Sequence, residues 1–584
     1  MSKRVFFGVL LLFLLTRAAL VLSLADVFYY GDEVSKGGAA KALQDGIGVP
    51  SWQLNYVYHE GGGLLLVHLK ALLFRLIGPS ILVHKIAAIL TSSVLLLVGF
   101  RLTSAHFGDG AAAIFGFLFV FCPESFLRFS LLSLGTHFEA LILVALILHF
   151  TMRIVFDDRP SLLDWGFLGA SCALGLFVSL QSAPAIGIAA LAIALRLRLR
   201  KKLFGKGLLA ALLGFALGGI PLWVAMSHVG LDALTVQNHP RFDQGLRGLA
   251  ALRELFHQLV RAPDLWSWVW FAAVASVVAA GFLWVRGVEG RRLRGRCSLL
   301  LAYLAFYFVL YAGSGFALPH TGVWFFWLRC APLWFVSIVV FAACAASILA
   351  QSVPRRRELA LGALALLAVA GVADWVGLLR SGRPGKPAEN WRIVARTKGY
   401  DLPAYFDKLV HHLDTPFPER AAVLLRLRED PDVLLPAIAY SLFERTKLSL
   451  ADTLAFARAN LGSHWTSAAK GLGLVAAPTY GKDLETAWRS IRESPEEVRA
   501  ELAEGVGRVA LGIKITADKI DQQVRIETPS EFREPFLRGA GWRVHALHRL
   551  RPDLAEALID RQPAPVREIV REGYSRARRA NTLP

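Results

Sequence analysis

The sequence predicts an all-α fold: a polytopic membrane helix bundle joined to a C-terminal domain of helical repeats. Three observations carry this. The 584 residues are 55% hydrophobic and only 19% charged, with a mean hydropathy of +0.47. Apolar runs long enough to cross a roughly 30 Å hydrocarbon core recur as far as about residue 378. Beyond that point charge density becomes ordinary and a fixed 34-residue period appears.

The candidate spans, in order, are 5–24, 80–102, 110–123, 134–155, 162–179, 182–197, 203–227, 267–285, 298–318, 332–350 and 358–378. The first follows "MSKR" and ends near Ser23-Leu24-Ala25, which resembles a signal-peptide cleavage site. The apolar run is long for a signal peptide and reads as an uncleaved span. Basic clusters follow three later spans: Arg196 to Lys202, Arg286 to Arg296, and Pro354 to Glu358. Clustering of positive charge beside spans places those loops in the cytoplasm. The net charge of +19 is therefore read as topology, and a nucleic-acid partner is not expected.

The stretch 62–78 is apolar but carries His68, Lys70 and Arg75. Were it to span, all three basic clusters would face outward, so it is expected to lie along the interface. The bundle then has about eleven spans, with loops 25–61, 228–265 and 319–331 and the turn 124–133 on the outer face. This arrangement suits a multi-pass protein of a bacterial inner membrane with an extracytoplasmic C-terminal domain.

Domain boundaries follow composition. Residues 1–379 form the membrane domain, and 380–395, with "RSGRPGKPAEN" at its start, the linker. Residues 396–584 form the repeats: "GLG" begins at Gly471, "GVG" at Gly505, "GAG" at Gly539 and "GYS" at Gly573, with "AIA" at Ala437 in the preceding register. A period of this length means stacked helix–turn–helix units, about four or five here, with glycine where helices approach closely. The Trp/Leu/Tyr pattern of tetratricopeptide repeats is missing. A domain of this kind binds a protein partner or braces its neighbour.

The chemistry is expected at "FYYGDEVSKGGAAKALQDG" (Phe28 to Gly46), where Asp32 and Glu33 follow the first span. A carboxylate pair in an outer loop is most often merely solvated. Here aromatic residues precede it and an amphipathic helix of small residues follows, which holds it at the lipid–water boundary. This stretch resembles the multi-spanning glycosyltransferases that use polyprenyl-phosphate-linked sugars, among them protein O-mannosyltransferases and lipid A aminoarabinose transferases. The resemblance continues through Tyr58 to Leu90 and through "WLRCAPLWF" (Trp327 to Phe335), and covers roughly residues 1–380. Two departures stand out: Gly61-Gly62 replaces the family's Pro-Pro, and Glu139 stands where an Asp is usual.

The resemblance implies a polyprenyl-phosphate-sugar donor, a glycan, lipid or protein acceptor, and membrane lipids as surroundings. It implies Asp32 as general base with Glu33 supporting it. It implies substrate contacts at His59, Glu60, His137, Glu139 and Arg329, with Arg329 on the leaving phosphate. His239 and Arg241 are further candidates for lining the outer cavity. Each has a bland reading beside it: a snorkelling anchor for Arg329, an ordinary loop pair for His59 and Glu60, a solvated helix end for His137 and Glu139. No cofactor is expected. The five cysteines show no metal-ligand spacing, and a divalent metal is not indicated. A lipid-linked sugar transporter would show repeated membrane halves and mid-membrane charges. A non-catalytic scaffold would not need Asp32.

Overall fold

The computed structural model describes residues 3–25, 31–46, 61–199, 205–230, 248–261, 265–313, 330–351, 353–402, 436, 439, 449–476, 484–512 and 515–583. Among them every regular element is a helix, and backbone pairing of the strand type is confined to two isolated bridges. By packing, the chain divides into two compact units. One holds residues 1–28, 50–69 and 84–388; the other holds 29–49, 70–83 and 389–584.

In the first unit, α1 (Lys3–Ser23), α4 (Ile81–Phe107), α5 (Asp109–Val120), α6 (Glu124–Phe129), α7 (Ala140–Phe156), α8 (Leu162–Val178) and α9 (Ala183–Leu199) come first. Next are α10 (Lys206–Gly218), α11 (Ile220–Val229), α12 (Leu249–Arg261), α13 (Leu265–Trp284), α14 (Gly287–Gly313), α15 (Ala331–Leu349) and α16 (Pro354–Ser381). Every expected span contains helix. Among the described residues, seven helices are long and apolar enough to cross a membrane unaided, and α10 with α11 reach that length together with a bend of 54° between them. Three segments are shorter: α5 has 12 residues, and α7 and α8 have 17 each.

Local chemistry explains the departures from straight spans. α5 stops because Arg17 of α1 donates to the carbonyls of Val120 (2.7 Å) and Phe119 (3.4 Å), and Pro123 follows. Twelve residues rise only about 18 Å. α7 begins at Ala140 and not near 134, because Gly135 takes the left-handed region at φ 85°. α8 and α10 pack backbone to backbone: a methyl group at Gly169, Gly214 or Gly218 would run into the main chain of Ala211, Gly166 or Ala170. Small residues permit such close approach where lipid supplies no hydrophobic drive between helices.

One end of this bundle collects the basic clusters. Arg196 donates to the carbonyl of Asp157 (2.7 Å), Arg296 to that of His106 (2.5 Å), and Arg296 lies 3.6 Å from the Asp157 carboxylate. Arg356 reaches the carbonyl of Trp284. All three clusters thus share an end, as the expected topology requires. At the other end the chain enters at Gly62, against Gly135, and is back at Lys85, whose ammonium donates to Leu131 at 3.1 Å. The start of the 62–78 stretch and the start of α4 therefore meet the same loop.

The second unit contains α2 (Gly31–Gln44), the end of α3 (Gly61–Ile77), most of α17 (Pro387–Arg396) and the repeats. Four helix–turn–helix pairs are described. They are α18 (Leu450–Leu461) with α19 (Trp465–Ala476), α20 (Leu484–Glu493) with α21 (Glu496–Ala510), α22 (Ala517–Gln522) with α23 (Arg533–Leu547), and α24 (Pro552–Asp560) with α25 (Ala564–Ala580). The repeated glycines lie on the second helix of each pair. A methyl group at Gly471, Gly505, Gly539 or Gly573 would strike the carbonyl of Pro436, Lys470, Glu504 or Arg538. Each clash partner lies one period plus one residue earlier, so the 34-residue spacing is the spacing of a repeated helix crossing.

Candidate functional site

Asp32 and Glu33 occupy the first turn of α2, where carboxylates favour the helix N-terminus. The two differ in setting. Asp32 is exposed, whereas Glu33 is 2% exposed. The face they begin is built from Gly37, Gly38, Ala39, Ala40 and Ala42, all buried, so the small-residue pattern is the packed side of the helix.

Two groups hold this first turn. The ammonium of Lys70 on α3 donates to the carbonyl of Glu33 at 3.3 Å, and the amide of Asp401 donates to the carbonyl of Val34 at 3.0 Å. A carbonyl has two lone pairs, so each bond can coexist with the helix's own. Lys70 is fully buried, unlike its neighbours His68 and Arg75, which are exposed. Read along the sequence, the three charges look alike; only packing separates the one that reaches α2. Lys36 is buried on α2 itself.

His137 and Glu139 belong to the other unit, at the end opposite the basic clusters. His137 Nδ1 lies 2.6 Å from Gln181 Nε2, and Glu139 is the residue from which α7 starts, 9% exposed. The loop carrying them is seated against Gly61 and Gly62. A methyl group at Gly62 would strike the Gly135 carbonyl, and one at Gly61 the Phe177 carbonyl. Gln181 has one signal in the sequence, its place in the polar break "SLQSAP" between two apolar runs.

His59, Glu60, His239, Arg241 and Arg329 lie outside the described residues. Among those described, no three His, Cys, Asp or Glu side chains gather closely enough to hold a metal ion. The buried side chain of Arg17 is taken up wholly by Ser130 (2.8 Å), Thr16, Cys122 and the end of α5, with its guanidinium 4.6 Å over the Phe13 ring. It is a helix cap, not a ligand-binding cation.

No family model matches the sequence, and no curated protein matches it either. Among solved structures, that of ArnT from Cupriavidus metallidurans bound to undecaprenyl phosphate overlays with a TM-score of 0.43 and 12% identity. The overlay covers 91% of this chain and 82% of that one. An overlap this loose identifies no activity.

Proposed function

We propose that the protein is a membrane glycosyltransferase that moves a sugar from a polyprenyl-phosphate donor to a lipid, glycan or protein acceptor. The observation that carries the proposal is the Asp32–Glu33 pair on the first turn of α2, directly after the first span, in the order of motifs of the multi-spanning glycosyltransferases. The exposed carboxylate of Asp32 is the base and the buried Glu33 its support. Phosphate leaves as a stable anion, so the donor needs no general acid, unlike a glycoside that needs two carboxylates. A single base takes the proton from the incoming hydroxyl or amine as the nucleophile attacks the anomeric carbon, and in-line attack inverts that centre. His59, Glu60, His137, Glu139, His239, Arg241 and Arg329 serve donor and acceptor binding, with Arg329 neutralising the leaving phosphate. The reaction takes place on the outer face of the inner membrane, where the repeats also lie.

The test is transfer of radiolabelled sugar from a panel of polyprenyl-phosphate donors to a membrane extract. Asp32→Asn is expected to lose about 10²–10⁴-fold in rate while remaining folded. Equal transfer by the variant removes Asp32 from the role. No transfer by the wild type from any donor returns the transporter and scaffold readings to the front.

A further inference from the structure

Three separated pieces of backbone meet beside α2 in the second unit. Gly399 N donates to the Pro79 carbonyl (2.9 Å), and Ile81 N to the Thr397 carbonyl (3.0 Å), so residues 397–399 pair with the turn between α3 and α4. On its other side, Lys398 N donates to the Asn581 carbonyl (2.9 Å), and Leu583 N to the Arg396 carbonyl (2.7 Å). The residues just after the last repeat helix therefore lie along the same segment. Two residues further on, Asp401 N donates to Val34 in the first turn of α2. Tyr400, 7% exposed, has the ammonium of Lys398 5.5 Å and that of Lys41 5.9 Å from its ring centre. Gly399 is required here, because a methyl group at that position would strike the Ser80 carbonyl.

From this arrangement we infer that residues 396–402 are a positioning element for the catalytic turn: they carry the last repeat and the α3–α4 turn onto α2 and fix where Asp32 and Glu33 stand. The consequence for catalysis rests on the glycosyltransferase reading; the mechanical link does not. Main-chain bonds on both sides of one short segment restrain it more than side-chain contacts would, because no rotamer freedom remains to be lost. A base displaced by about 1 Å can cost on the order of 10²-fold in rate, so such restraint has catalytic value.

The test compares Gly399→Val, which pushes the segment from Ser80, and Leu583→Pro, which deletes the donor to Arg396, with Gly505→Ala, which loosens the repeats elsewhere. Hydrogen exchange of the α2 amides from Ser35 to Gln44 is expected to quicken about tenfold in the first two and stay at the wild-type rate in the third. Sugar transfer by the first two is expected to lose about tenfold in kcat with the donor KM within about twofold. Unchanged α2 exchange in Gly399→Val and Leu583→Pro overturns the inference. So does faster α2 exchange with unchanged kcat, and so does equally fast exchange in Gly505→Ala. If the wild type transfers no sugar, the glycosyltransferase reading falls, and the exchange rates alone decide whether the segment holds α2.

Discussion

Arg17 in the membrane bundle and Glu504 in the repeats are buried in opposite ways. In the membrane bundle, Arg17 is fully buried and its guanidinium is satisfied by neutral groups: the last carbonyls of α5, two hydroxyls, a thiol and an aromatic face. In the repeats, Glu504 is 4% exposed and sits among cations, with Arg508 at 2.7 Å, Arg576 at 3.8 Å and Lys470 at 4.0 Å. The difference teaches how each environment supplies counter-charge. For Arg17 the partial negative charge of a helix C-terminus does that task. A solenoid repeats its polar positions, so Lys470 and Glu504, one period apart, arrive side by side. Both units use glycine for close helix contact, at Gly169, Gly214 and Gly218 in one and at Gly471, Gly505, Gly539 and Gly573 in the other.

The largest expected effect breaks the repeat network. Glu504→Ala leaves three cations around a buried hole and should cost about 4 kcal/mol, read as a fall in the melting temperature of the repeat unit. Glu504→Gln, which keeps the shape, should retain only part of the loss. In the bundle, Arg17→Met removes the charge together with its bonds and leaves the α5 carbonyls without their donor. The cost should be about 3 kcal/mol, measured as loss of folded protein on heating in detergent. A smaller loss for Arg17 than for Glu504 would sustain the contrast between neutral and charged partners, and the reverse order would break it.

Acid should act on the repeats through His545. Burial, together with Arg549 and Arg578, lowers its pKa to about 3 from the usual 6.5, and the Tyr574 ring lies 5.7 Å away. The unfolded chain therefore binds a proton that the folded one refuses, so this group's stability is present above pH 6.5 and is lost as the pH falls towards 3. Between pH 7 and pH 5 the loss should be about 2 kcal/mol, and His545→Phe should flatten that part of the stability–pH curve. The smallest effect is the glycine comparison. Gly169→Ala and Gly505→Ala should each cost about 1.5 kcal/mol, and similar values would show that close helix contact is worth as much in both units.

The sequence was most legible where a period or a composition repeats. Every expected span holds helix among the described residues, and the glycine period marks the helix crossings. The acid pair was legible because Asp32 and Glu33 follow the first span at a fixed place beside a run of small residues. The short α5 was not, since its end depends on Arg17, a partner far along the chain. The same holds for Lys70 and Gln181, whose use appears only once the helices are packed.

Sequence alone thus determined the helical class, the membrane character, the repeat length and the place of the Asp32–Glu33 pair after the first apolar run, because each is written in local periodicity or in charge beside apolar runs. Tertiary structure decided which charges are buried, that Gly61 and Gly62 lie against the main chain of Phe177 and Gly135, and that α2 packs in one unit with residues 389–584. Those depend on backbone meeting backbone across long sequence separations, such as Val34 with Asp401 and Arg396 with Leu583. No local pattern records such meetings, because a main-chain hydrogen bond can be made by almost any residue.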